Sequence, residues 1–183
     1  MKRPSKSFEI ALSAIACAVA ALALTLGAYV DVMYAAGLLL AVFALMVPLS
    51  KEFIWGDALA FLGGAILAFL FCGFSVYKLI PFLTFLGLHP LVNFLQKKYV
   101  KRKWLHAIVF LGKAIWFCLA LWLSWQVVFV KFFALDQTSW YPFVMKYFYY
   151  VLFFGGIVVF AAYDFLIFLC QRSVNAIVKR IRR

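Results

Sequence analysis

Charged residues are scarce in this sequence, and acidic residues are the scarcest. Only 13% of the 183 residues are charged, and Asp and Glu together number six. A soluble domain carries about 25% charged residues, because its surface must be hydrated. This chain therefore has too little polar surface to dissolve in water as a globular domain.

Motifs of catalysis and metal binding are missing as well. The sequence has two histidines, His89 and His106, and its four cysteines form no CxxC pair. HExxH, GxSxG and the glycine-rich phosphate loop are also absent. We therefore expect no enzyme activity, no catalytic residue, no metal site and no cofactor. A membrane enzyme that brings Asp164, Lys113 or His89 together in a cleft is a minor alternative hypothesis.

Long apolar runs dominate what is present. Hydrophobic residues make up 68% of the chain, and its mean hydropathy is +1.05. The runs suit the ~20 helical residues that cross a ~30 Å hydrocarbon core, and the alternating polarity of membrane β-strands is not seen. The sequence predicts an all-α polytopic integral membrane protein, formed as a single membrane domain in the lipid bilayer. We place six transmembrane helices at roughly 8–30, 33–49, 56–77, 79–96, 105–130 and 147–171.

The distribution of Lys and Arg predicts the orientation of these spans. With the amino terminus inside, the short cytoplasmic segments receive most of the basic residues: Lys2, Arg3, Lys6, Lys51, Lys97, Lys98, Lys101, Arg102, Lys103, Arg172, Lys179, Arg180, Arg182 and Arg183. The outer side receives only Lys78, Lys131 and Lys146. Basic loops resist translocation, so we expect both termini in the cytoplasm of a bacterial inner (plasma) membrane. The net charge of +12 then belongs at lipid headgroups, and we expect no nucleic-acid partner.

The basic tail, residues 172–183, has its own pattern. Val174, Ile177, Val178 and Ile181 recur at helical spacing among Arg and Lys residues. This pattern predicts an amphipathic helix along the inner headgroups.

Two spans carry rows of small residues. In the first span, Ala14, Ala18 and Ala21 belong to a row that extends from Ala11 to Ala28. The third span has a similar row, Gly56, Ala60, Gly64, Ala68 and Cys72. Small residues let membrane helices approach closely. The rows predict either packing of these two helices on each other or docking of a separate membrane subunit on Ala14, Ala18 and Ala21.

Polar and aromatic residues gather at the predicted outer ends of the spans. The candidates for binding a solute are Tyr29, Asp31, Tyr34, Lys78, Trp125, Gln126, Trp140 and Tyr141. Trp and Tyr also form the interfacial belts of membrane proteins, so this collar is consistent with simple anchoring. The alternative is an outward-opening pocket in which aromatic faces stack on a small molecule and a charged group orients it.

Two charged residues, Lys113 and Asp164, fall well inside predicted spans, away from the span ends. Lys113 lies in the fifth span and Asp164 in the sixth. Charges in hydrocarbon are costly and usually face protein or water. Lys113 either extends its side chain toward the cytoplasmic headgroups or forms an intramembrane charge pair with Asp164, because both residues fall in the inner half of antiparallel helices.

A family resemblance follows from topology and two local features. The chain has six predicted spans, both ends inside, and an Ala-rich first helix with A-x-x-x-A at Ala14 and Ala18. It thereby resembles the substrate-binding S components of energy-coupling factor (ECF) transporters. The run at 82–95, followed by a basic loop, Trp104 and Lys113, is similar to uncharacterised bacterial S-component-like membrane proteins.

This resemblance implies a subunit that captures a vitamin or other micronutrient outside and passes it inward with partner ATPases. Ala14 and Ala18 would then contact a transmembrane coupling subunit. The other main hypothesis is an accessory or scaffold membrane protein without transport activity, in which the small-residue rows only pack helices.

Overall fold

The fold is all-α in a computed structural model that describes residues 6–132 and 139–181. Within these ranges the chain forms helices and no strand. Six helical stretches are long and apolar enough to cross a membrane: Lys6–Tyr29, Asp31–Leu49, Ile54–Cys72, Ser75–Tyr99, Lys103–Val128 and Tyr141–Val178. Each overlaps one predicted span, so the prediction of a six-span, all-α membrane protein is confirmed.

The α-helices of the described residues are α1 Lys6–Tyr29, α2 Tyr34–Leu49, α3 Ile54–Cys72, α4 His89–Tyr99, α5 Lys103–Ser124, α6 Tyr141–Tyr150 and α7 Gly156–Ile181. Tighter 3-10 turns occupy Asp31–Met33 and Gly73–Leu79. Wider π-helical segments occupy Phe82–Leu86, Trp125–Phe132 and Val151–Gly155. Several spans are therefore continuous helices with a change of helix type along their length.

Several span boundaries differ from those placed on the sequence. The third α-helix ends at Cys72 instead of near residue 77, because Gly73 has a φ of 52°, which ends α-helical geometry. The last span begins at Tyr141 instead of 147. Its helix α7 runs on through the basic tail to Ile181, and the remaining tail residues 182–183 lie outside the described residues.

The described residues group into two compact units. The first comprises those of Met1–Leu95 and Ile167–Arg183, and the second comprises those of Gln96–Leu166. Both boundaries fall within helices, at the end of α4 and in the middle of α7. No loop therefore separates the units along the chain.

In the first unit, α1 and α2 cross with their backbones nearly touching. A Cβ atom built on Gly37 of α2 would lie 2.5 Å from the Ala23 carbonyl oxygen and 3.0 Å from the Gly27 Cα atom. Side chains at these glycines would hold the helices apart. Close backbone approach of this kind supplies the dispersion contacts that hold helices together in lipid.

The small-residue row of α3 packs against α1. All five residues of that row are buried. A Cβ atom on Gly64 would lie 3.3 Å from the Ala20 Cβ atom and 3.4 Å from the Cys17 carbonyl oxygen, and one on Gly56 would collide with Ser13 Oγ. The partner face of α1 thus contains Ser13, Cys17 and Ala20, one position away from Ala14, Ala18 and Ala21.

In the second unit, α5 packs against the first part of α7. The Phe160 ring lies 5.2 Å from the Phe110 ring and 5.5 Å from the Phe117 ring, measured between centroids. Directly after Phe117, the Cys118 thiol lies 3.8 Å from the Leu152 carbonyl oxygen. Aromatic pairs at these distances contribute beyond their buried area and fix the register of the two helices.

Candidate functional site

Lys78 is the centre of a polar cluster at the end of α1. Its Nζ atom donates hydrogen bonds to the Ala28 carbonyl oxygen at 2.8 Å and to Asp31 Oδ1 at 2.5 Å. Ala28 lies in the last turn of α1, where carbonyl groups lack intrahelical partners and the helix dipole favours a cation. The Lys78 side chain is only 9% exposed, whereas that of Asp31 is 64% exposed. Lys78 thus caps a helix and places a reachable carboxylate beside it.

Two tyrosines extend this cluster. The Tyr34 hydroxyl donates to the Lys78 carbonyl oxygen at 2.9 Å, and the Tyr29 hydroxyl donates to the Phe71 carbonyl oxygen at 2.7 Å. These bonds tie the end of α3 and the turn after it to α1 and α2. Four of the predicted site residues therefore do lie together. Their bonds are to the backbone and to each other, which is the pattern of a structural clamp at the helix ends.

The other four predicted site residues belong to the second unit. Trp125 packs its ring 5.3 Å from the Phe148 ring of α6, and Gln126 follows it in the π-helical segment. Trp140 directly precedes α6, in which Tyr141 is the first helical residue. These residues flank positions 133–138, which lie outside the described residues.

The predicted docking residues divide between two environments. Ala14 and Ala18 are exposed on α1, whereas Ala21 is buried. Ala18 and Ala21 form part of a groove of about 600 Å³ along α1 and α3. Its other lining residues are Leu22, Thr25, Tyr29, Leu67 and Phe71. The first helix thus keeps small residues on a surface that α2 and α3 leave uncovered.

Lys113 and Asp164 form an ion pair within the second unit. Lys113 Nζ lies 2.7 Å from Asp164 Oδ1, and both side chains are buried. The same nitrogen lies 5.8 Å from the centroid of the Phe160 ring, so a cation–π contact adds to the pair. The two charges neutralise each other at membrane depth, as an intramembrane charge requires.

One buried acid, Asp57, was not among the residues predicted from the sequence. Asp57, in the first turn of α3, is 1% exposed, and its Oδ1 atom has no hydrogen-bond partner among the described residues. It is the second residue of the predicted span 56–77. An acidic residue within an apolar span is a signal that can be read from the sequence, and it applies to Asp57.

The surroundings of the two histidines do not indicate a particular catalytic reaction. His89 is fully buried, and its ring lies 4.8 Å from the Phe85 ring. In the second unit, His106 Nδ1 lies 3.1 Å from Gln96 Nε2. Among the described residues, no group of three or more His, Cys, Asp or Glu side chains is placed to hold a metal ion.

Comparisons of the chain with family models, with curated proteins and with solved structures found no match. A functional proposal therefore rests on the residues and their geometry.

Proposed function

We propose that this chain is the substrate-binding membrane subunit of an ECF-type importer. It would capture a vitamin or other micronutrient outside the cell and pass it inward with partner ATPases. The supporting observation is the exposed small-residue surface of α1 at Ala14 and Ala18, which continues into the groove along α3. In lipid, such a surface favours close approach of another helix.

The fold itself does not use these alanines for its main helix contacts. Helix α1 meets α2 through Ala23 and Gly27, and it meets α3 through Cys17 and Ala20. A surface of Ala14 and Ala18 offers little dispersion energy to lipid chains compared with larger side chains. We therefore propose that a transmembrane helix of a coupling subunit covers this surface.

The solute would bind at the end of the protein that carries Asp31, which the proposal places outside the cell. The Asp31 carboxylate is the exposed member of the Lys78 cluster and can accept a hydrogen bond or pair with a cation. Tyr29 and Tyr34, which lie in the same cluster, are the further solute contacts in this proposal. Transport would follow from different affinities of two conformations, without chemistry in this chain.

A scaffold or accessory membrane protein is the second candidate function. It is favoured by the bonding of Lys78, Tyr29 and Tyr34, whose polar atoms hold backbone carbonyl groups at helix ends. In that case Ala14 and Ala18 would face lipid, and no solute would be retained.

Affinity purification from native membranes at endogenous expression separates the two candidates. The full chain is compared with Ala14→Trp and with the control Ala36→Trp, which alters an exposed alanine of α2. The importer proposal expects a transmembrane coupling subunit and ATPases with the wild type and the control, but not with Ala14→Trp. Equal recovery from all three contradicts docking on α1, and recovery of lipid alone supports the scaffold.

A further inference from the structure

A second groove, in the unit 96–166, is almost entirely apolar. It has a volume of about 410 Å³ and runs along α5 and the helical segment from Tyr149 to Ile157. Ala114, Cys118 and Leu152 are buried and form its floor, whereas its rim side chains are exposed. The rim consists of Leu111, Ile115, Leu119, Trp122, Tyr149, Phe153 and Ile157.

The π-helical segment Val151–Gly155 forms part of one wall of this groove. Leu152 and Phe153 come from it. A π-helical turn holds an extra residue and often marks a functional site. Directly after it, a Cβ atom on Gly156 would lie 3.3 Å from Cys118 Sγ. The absence of a side chain at Gly156 therefore leaves room for the Cys118 thiol in the floor.

The length of the groove is close to the depth that one acyl chain covers in a bilayer. From Leu111 to Trp122, both of which line it, α5 rises about 16 Å. Half of a ~30 Å hydrocarbon core is ~15 Å. Trp122 and Tyr149 line the same end of the groove, and each side chain adds one polar group there.

A cation lies beyond that end. Lys146 is exposed and precedes Tyr149 by three residues on α6, so both share one helix face. Its Nζ atom lies 5.6 Å from the centroid of the Tyr147 ring. No acidic side chain lines the groove. A negatively charged headgroup at this end would therefore meet a complementary charge.

We propose that this groove binds one acyl chain of an acidic glycerophospholipid, whose phosphate faces Lys146. An acyl chain fits a narrow groove that bulky side chains border. A helix, about 10 Å wide, docks instead on flat surfaces of small residues. An empty groove would leave Ala114, Cys118 and Leu152 without partner atoms on one side, which forfeits dispersion contacts.

The first test is native mass spectrometry of the full chain, delipidated and then re-equilibrated with mixed phosphatidylglycerol and phosphatidylethanolamine. The wild type is expected to retain one lipid per chain. Ile157→Trp fills the groove and is expected to lower retention by about tenfold or more. Val158→Trp, at the exposed neighbouring position outside the groove, is the matched control and is expected to retain the lipid.

Leu119→Trp fills the groove from α5 and provides a second variant if Ile157→Trp fails to fold. Lys146→Gln is expected to keep the lipid but to lose the preference for phosphatidylglycerol. Equal retention by the filled variants and Val158→Trp overturns the groove as the site. No lipid on the wild type, or a second copy of the chain in place of lipid, also overturns it. An unchanged headgroup ratio in Lys146→Gln overturns the role of that cation.

Discussion

Lys113 Nζ lies 2.7 Å from Asp164 Oδ1, and both side chains are buried in the second unit. The pair joins α5 to α7 at membrane depth. A buried ion pair contributes little net stability compared with apolar residues, but an unpaired partner is costly. The pair therefore constrains which helix faces meet more strongly than it stabilises the fold.

We predict that breaking this pair on one side destabilises the protein more than removing both charges. Lys113→Met and Asp164→Leu alone should each cost about 3–5 kcal/mol, because each removes the opposite charge from one buried group. The double variant should recover most of that loss. Unfolding of detergent-solubilised protein, followed by circular dichroism, measures the cycle. Additive losses in the double variant would contradict the prediction.

The contact of α1 with α2 gives a second prediction. Gly37→Ala places a methyl group 2.5 Å from the Ala23 carbonyl oxygen, so the helices must separate. Overpacking of this kind costs about 1–3 kcal/mol. Gly112→Ala is the control, because a Cβ atom there meets nothing within 4 Å. Thermal unfolding should show a lower midpoint for Gly37→Ala only, and equal midpoints would argue against the close crossing.

The clamp at Lys78 predicts unequal effects for its two charged residues. Lys78→Met leaves the Ala28 carbonyl without its donor and should cost about 1–3 kcal/mol. Asp31→Asn keeps an acceptor on an exposed side chain and should cost less than about 1 kcal/mol. Chemical unfolding of both variants measures the difference. A larger loss for Asp31→Asn would show that the carboxylate, and not the ammonium group, holds the helix ends.

We predict that the substitution Asp57→Ala stabilises the protein. The Asp57 Oδ1 atom is buried and has no hydrogen-bond partner among the described residues, a situation that costs about 1–3 kcal/mol in mutational data. Asp57→Ala should therefore raise the thermal midpoint, whereas Asp164→Ala should lower it because that acid has a partner. Midpoints of the two variants in one detergent provide the comparison. A fall with Asp57→Ala would indicate that its carboxyl group supports the fold.

Much of the fold was predictable because the bilayer imposes a length on each apolar run. All six spans overlap their predicted positions. The boundary at Cys72 was not predictable, because Gly73 adopts a positive φ that depends on where the next segment must go. The helix types inside the spans, such as the π-helical segment Val151–Gly155, also follow from packing and leave no clear mark on hydropathy.

The candidate site was predictable as a set of residues and not as an arrangement. The sequence predicted that Asp31 and Lys78 lie on the same side of the membrane. The tertiary structure was needed to show that Lys78 caps α1. The face of α1 was equally ambiguous. Small residues surround much of that helix, so spacing alone could not distinguish Ala14 and Ala18 from Cys17 and Ala20 as partners of α3.

The sequence by itself determined that this chain is helical and spans a membrane six times. The length of each apolar run and its lack of charged residues are local properties, and they decide whether that segment crosses the membrane. Tertiary structure decided which small residues pack, that Lys113 meets Asp164, and that a groove opens beside Cys118. Those features depend on the rotation and register of one helix against another. Contacts distant in sequence set both quantities, and hydropathy carries little information about them.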